Sequence, residues 1–266
     1  MFDANNLPQR IAKQVNGLVW YCDTIGRSGS AIWLYDNMVL KIEKASSSSA
    51  NEKQLLEWLD GKLPVPKIIE YETRDGYSFL LMTKLSGEMA CLCENMHCLD
   101  RTVRALAEGL QQLWQINISD CPLANVVSEK LKEAQDKMQN HLVHTTDFDP
   151  ETFGAEGFQD LSHLYNYLAQ NSPTQDLVLS HGDFCLPNVF VSGCKATGFV
   201  DWGTGGIADR WQDIALCLRS LQFNYVECGL YGETDCQRYE QLLFSELGME
   251  PCEEKTRYYG LLEKLF

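Results

Sequence analysis

The chain has 266 residues, with 22 Lys and Arg against 37 Asp and Glu, for a formal net charge of −15. That length buries a sizeable core and can hold two lobes around a cleft. The acidic balance argues against nucleic acid or an anionic membrane as partner and favours cationic ones, although a solvated acidic surface alone would give the same charge.

Taken in order, the first part of the chain is a small sheet. Residues 18–22, 31–35, 38–42, 67–73 and 77–82 are short β-rich runs separated by Gly, Asn and Asp turns. Between the first two lies Ile25-Gly26-Arg27-Ser28-Gly29-Ser30, a turn that could cover a phosphate, with glycines for close backbone approach and Ser28 as a donor. Most Gly/Ser turns bind nothing, so its position supports this more than its sequence. Lys41 sits inside the apolar strand Met38-Val39-Leu40-Lys41-Ile42, where a buried ammonium needs an anion; the alternative is an edge-strand lysine pointing to water. Ser46 to Ser49 is a low-complexity loop by composition. A helix over 50–60 follows, with Leu55, Leu56 and Leu59 on one face and Gly61 at its end. Residues 81–87 then close the sheet and act as a hinge.

Beyond about Cys91 the period becomes helical. Val103, Leu106, Leu110, Leu113 and Trp114 form one stripe; Leu131, Ala134, Met138 and Leu142 a second; Leu161, Leu164, Tyr165 and Leu168 a third. Cys91, Cys93, His97 and Cys98 cluster, but their spacing fits no zinc pattern. His141, His144 and His163 fall on helix surfaces or ends. Eleven cysteines, an odd number at irregular spacings, imply reduced thiols and a cytoplasmic protein. The start MFDANNLPQR lacks the basic and apolar segments of a signal peptide, and no apolar run approaches a membrane span.

Residues 179–213 carry the chemistry. His181-Gly182-Asp183 is followed five residues later by Asn188, then by an apolar hairpin pattern joined at Ser192-Gly193, then by Asp201-Trp202-Gly203. Kinases pair an H-R-D-x-x-x-x-N loop with a D-F-G metal site, and here Gly182 replaces the Arg and Trp202 the Phe. Asp183 is placed to accept the proton of an attacking hydroxyl, and the hairpin returns Asp201 beside Asn188, an oxygen pair suited to Mg²⁺. Asp, Asn and Gly also crowd ordinary loops, but both halves in order around a hairpin leave that reading little room. Asp209 and Asp213 bracket the first turn of another helix, and Asp213 and His181 are read as residues that order the catalytic loop.

The segments HGDFCLPN, FVDWGTGGIADRWQDIALCLRS, GKLPVPK, INISDCP and YYGLLEKLF resemble the aminoglycoside 3′-phosphotransferases, the kanamycin and neomycin kinases. The resemblance covers essentially the whole chain. It implies an α+β, bilobal protein-kinase-like fold, with a β-rich nucleotide lobe over 1–83 and a mainly helical lobe over 84–266. It further implies ATP with Mg²⁺ and a cationic aminoglycoside or amino-sugar acceptor; the chain itself is expected to be a monomer or weak dimer.

By the same resemblance Asp183 is the base, Asn188 and Asp201 hold Mg²⁺, and Lys41, paired with Glu52, contacts the nucleotide's phosphates. Val39 lies against the base, whose edge bonds backbone near Thr83 and Leu85. Acceptor amines meet Asp149 and Glu151 of an acidic insert, Glu263, and the carboxylate of Phe266. Two departures stand out: Thr204, where the family has Arg, and Lys264, where it usually has an acid. A choline or metabolic-sugar kinase, and a non-catalytic nucleotide-binding module, remain the alternatives. A protein kinase fits less well, because no Ala-Pro-Glu segment follows Asp201.

Overall fold

The structure is a computed structural model that describes residues 7–22, 29–143, 152–153, 157–230 and 233–266. Ser28, His144, Asp149 and Glu151 lie outside them. Helix α1 (Gln9–Val15) precedes strands β1 (Tyr21–Cys22), β2 (Ala31–Leu34) and β3 (Met38–Lys44), helix α2 (Ser47–Leu59), and strands β4 (Ile68–Arg74) and β5 (Tyr77–Thr83). The five strands form one antiparallel sheet in the order β1-β2-β3-β5-β4.

Strand periodicity decides what this sheet offers to each side. Leu40 and Ile42 of β3 join Ile11, Trp33, Phe79 and Leu81 in a core on one face, with α1 packed on it. The alternate residues Val39, Lys41 and Glu43 therefore face the other way. Helix α1 went unrecognised in the sequence, where Ile11 and Val15 are too few to show a period.

Ser46 to Ser49 is not a loop. Ser46 caps α2, its Oγ accepting from the Ser49 N–H at 3.2 Å while the Ser49 Oγ accepts from the Ser46 N–H at 3.0 Å. A serine run that reads as low complexity is thus a reciprocal cap, and the helix begins at Ser47.

The remainder is helical around small strands. After β6 (Glu88–Met89) come α3 (Cys93–Met96), α4 (Leu99–Trp114), α5 (Val127–Gln139) and α6 (Leu161–Gln170). Strand β7 (Leu177–Ser180), a 3₁₀ turn (Leu186–Asn188), β8 (Val189–Ser192), β9 (Lys195–Phe199) and β10 (Gly206–Asp209) follow. Helices α7 (Arg210–Glu227), α8 (Glu233–Leu247) and α9 (Glu253–Leu262) complete the chain with a final turn, Glu263–Leu265. Val103, Leu106, Leu110 and Leu113 of α4 are fully buried, each adding about 1.5–3 kcal/mol of burial. The second stripe stops short: α5 ends at Gln139, and Leu142 is 60% exposed. Among the described residues no helix is long and apolar enough to cross a membrane.

Burial has a consequence for alkaline stability. It pushes the Cys185 thiol up to about 12 and the Cys217 thiol upward as well. An unfolded thiol ionises near about 8.5, so above that pH the unfolded chain sheds protons that the native state keeps. Stability must then fall as pH rises toward 12, by up to about 1.4 kcal/mol per unit per thiol. In reducing buffer the urea midpoint is expected to drop steadily above pH 9, and Cys217→Ala to flatten that drop. An unchanged slope in the variant would show that other groups cause it.

Candidate functional site

Strand β7 pairs with β10, Ser180 opposite Gly206, and delivers His181-Gly182-Asp183 at its end. The buried Asp213 carboxylate of α7 accepts the His181 N–H at 2.7 Å and the Gly182 N–H at 3.0 Å. Burial pushes this carboxyl up, while those donors and the Ser180 hydroxyl pull it back. The His181 ring is buried, lies 4.5 Å from that of Trp202, and brings Nε2 to 2.9 Å from the Val200 carbonyl. His181 and Asp213 therefore order the loop, as the sequence suggested.

Gly182 explains why the Arg of the kinase signature has no place here. Its φ is +80°, and a Cβ would sit 1.9 Å from the Thr204 carbonyl oxygen. Asn125, invisible as a site residue in the sequence, holds that segment by donating to the Thr204 and Gly205 carbonyls at 2.7 Å each. Gly182→Ala is expected to cost on the order of 3 kcal/mol and to lower turnover, read by urea denaturation and ADP release. Wild-type values for both would contradict the close approach.

The hairpin between Asn188 and Asp201 folds as expected, with one shift. The strands are joined at Gly193-Cys194 rather than Ser192-Gly193, because Ser192 pairs with Lys195. The Val200 N–H donates to the Asn188 carbonyl at 3.0 Å, which sets Asp201 beside Asn188. Asp201 has a φ of +65°. The Asn188 amide N–H donates to the Asp183 backbone carbonyl at 3.0 Å and to its carboxylate at 2.9 Å. Both amide protons are thereby used, and the Asn188 Oδ1 remains as an acceptor.

From the sheet, the Lys41 ammonium donates to Glu52 Oε2 at 2.7 Å and Asp201 Oδ1 at 2.8 Å, with Glu43 at 3.6 Å. Lys41 is 6% and Glu52 1% exposed, so the edge-strand alternative fails. Burial pulls the ammonium down, and the three carboxylates outweigh it and hold it above its ordinary value. Burial also pushes Glu52 up, but a 2.7 Å bond to a charged lysine marks an ion pair, and both groups are charged.

Two cavities are lined by this constellation, one by Lys41, Asn188 and Asp201 and the other by Asp183. A pocket of about 200 Å³ is lined by Val39, Lys41, Glu52, Thr83, Leu85 and Asp201, among others. The Thr83 N–H is bonded to the Lys67 carbonyl and the Lys84 N–H to that of Asn37. The Leu85 N–H has no backbone partner among the described residues. A second cavity, of about 500 Å³, is lined by Asp183, Thr204, Glu263 and Phe266, and by Lys130, Lys137 and Arg219, which the sequence did not flag. Lys130 had a signal: it falls on the apolar stripe of α5, and it is buried against Glu263 at 2.6 Å. The Phe266 ring lies under two ammoniums, Lys130 at 4.9 Å and Lys137 at 4.5 Å.

Asn188 and Asp201 border the same pocket as Lys41. Hard oxygen donors of this kind fit Mg²⁺, which completes its shell with waters and phosphate oxygens.

A buried Lys–Glu pair, a carboxylate at the end of a catalytic loop and an Asn/Asp oxygen pair define a phosphotransferase of the protein-kinase type. The comparisons narrow this. The model of the phosphotransferase enzyme family matches residues 24–244. An aminoglycoside 3′-phosphotransferase of Enterococcus faecalis is 35% identical over 258 residues, covering 92% of both chains. The solved type VIII aminoglycoside 3′-phosphotransferase superposes with a TM-score of 0.78 at 26% identity, covering 97% of each. A 3″-enzyme of Streptomyces rimosus, solved with ADP and streptomycin, gives 0.79 at 20% identity, covering 100% of this chain and 99% of that one. The chain belongs to the aminoglycoside phosphotransferase family.

Proposed function

We propose that this enzyme transfers the γ-phosphoryl group of ATP to a hydroxyl of an aminoglycoside, the 3′-hydroxyl, and so confers resistance. The observation that carries this reading is the hydrogen bond from Asn188 to Asp183, which ties the pocket lined by Lys41, Asn188 and Asp201 to the cavity lined by Asp183. The adenine edge bonds the Leu85 N–H, with Val39 against the ring. Lys41, held by Glu52, takes the α/β phosphates. Asn188 and Asp201 are the Mg²⁺ ligands, and the ion, when bound, offsets phosphate charge. Asp183, fixed by Asn188, orients the acceptor hydroxyl and takes its proton. Residues 1–83 act as the nucleotide lobe and 84–266 as the acceptor lobe. The enzyme works in the cytoplasm as a monomer or weak dimer, without nucleic acid or membrane.

Coupled ADP release separates acceptor class from site of transfer. Kanamycin should be turned over, and tobramycin, which lacks the 3′-hydroxyl, should only inhibit. Turnover of choline with neither antibiotic used would contradict the reading.

A further inference from the structure

Among the described residues, the charged lining of the cavity beside Asp183 is Glu133, Asp183 and Glu263 with Lys130, Lys137 and Arg219. Part of that acid is already engaged by lysines of the same wall. The Lys130 ammonium is bonded to Glu263 at 2.6 Å and that of Lys137 to Glu133 at 3.2 Å. Lys130 also lies 4.9 Å from the centre of the Phe266 ring, and its side chain is 8% exposed against 15% for that of Glu263.

A carboxylate beside an aromatic ring is a complete seat for an ammonium ion, with charge-assisted hydrogen bonding on one side and the ring's negative face on the other. Here the chain's own lysine fills that seat, at the edge of the cavity that holds Asp183. Lysine suits such a place, because its flexible four-carbon stem lets the ammonium leave for water while the methylenes stay packed. We infer that Glu263 and the Phe266 ring receive an ammonium group of the acceptor, and that Lys130 is a built-in occupant which the acceptor displaces. Lys130 is then a residue that sets acceptor affinity, keeping the acidic wall neutral until the polycation arrives. The inference rests on the aminoglycoside reading above and specifies how the cleft receives that acceptor.

The seat is open only while Lys130 is swung out, so the apparent affinity is the intrinsic one multiplied by the open fraction. For a minor conformer at about 10% or less, removing the lysine tightens binding by about tenfold or more. Arginine in its place acts the other way, since its fork holds a carboxylate with two parallel bonds and is harder to displace.

The test is calorimetric titration of kanamycin into the full chain at about 0.15 M salt, where loose attraction to the acidic surface is screened. Lys130→Met keeps the length of the side chain and should bind kanamycin about tenfold more tightly than the wild type, whereas Lys130→Arg should bind it about threefold more weakly. Adding Glu263→Gln to Lys130→Met should abolish the gain. A lysine with only a structural role gives the opposite pattern, the Met variant binding more weakly and the Arg variant unchanged. Either of those results, or a gain in Lys130→Met that survives Glu263→Gln, would overturn the inference. Lys130→Arg retains the ion pair, so its result decides the matter even where Lys130→Met folds poorly. Kanamycin turnover by the wild type reports separately on the activity. Its absence removes the reading on which the inference rests, while turnover with the structural pattern removes the inference alone.

Discussion

Asp183→Ala is expected to lower kcat by about 10²- to 10⁴-fold while leaving the fold and Mg-ATP binding in place. The side chain sits on a loop held by backbone bonds to Asp213, so its removal does not release the loop. What is lost is the proposed acceptor for the hydroxyl proton and one partner of the Asn188 amide, whose second bond to the Asp183 carbonyl survives. ADP release, thermal unfolding and nucleotide titration on one preparation check this. Near wild-type turnover would remove Asp183 from the base role; loss of nucleotide binding would make it a structural residue.

The second large effect is at Lys41. Removing the ammonium in Lys41→Met leaves Glu52, 1% exposed, without its counter-charge. Breaking a buried pair from one side costs about 3–5 kcal/mol, because the remaining charge must be neutralised or stay unpaired. The double variant Lys41→Met/Glu52→Gln should recover much of that stability and none of the activity, since the charge proposed to contact the phosphates is still missing. Denaturant midpoints for the two singles and the double, with KM for ATP, separate the roles. Simple addition of the two stability losses would show that the pair is not the unit described here.

The grouping of Asp183, Asn188 and Asp201 was legible because these residues are close in sequence. Asp183, Asn188 and Asp201 lie within nineteen residues, and a short hairpin is enough to bring them together. Lys41 was legible for another reason: a charge between apolar neighbours on a strand needs an anion. The partners that arrive from far along the chain were not. Asn125 reaches Thr204 across a long separation, and nothing in its neighbours distinguishes it from a loop asparagine. Arg219 drew no notice in the sequence, and only the folded helix shows that it lines the cavity beside Asp183. Ser46 to Ser49 misled because composition hides a cap that depends on two specific hydroxyls. Glu263 was anticipated as a ligand for acceptor amines, and the fold sets it against Lys130.

The most direct test of the central claim is the product itself. After incubation of the enzyme with Mg-ATP and kanamycin, mass spectrometry should find kanamycin heavier by one phosphoryl group, and phosphorus–proton correlation should place that group on the 3′ oxygen. Kanamycin recovered unchanged, while the protein binds Mg-ATP normally, would contradict the account.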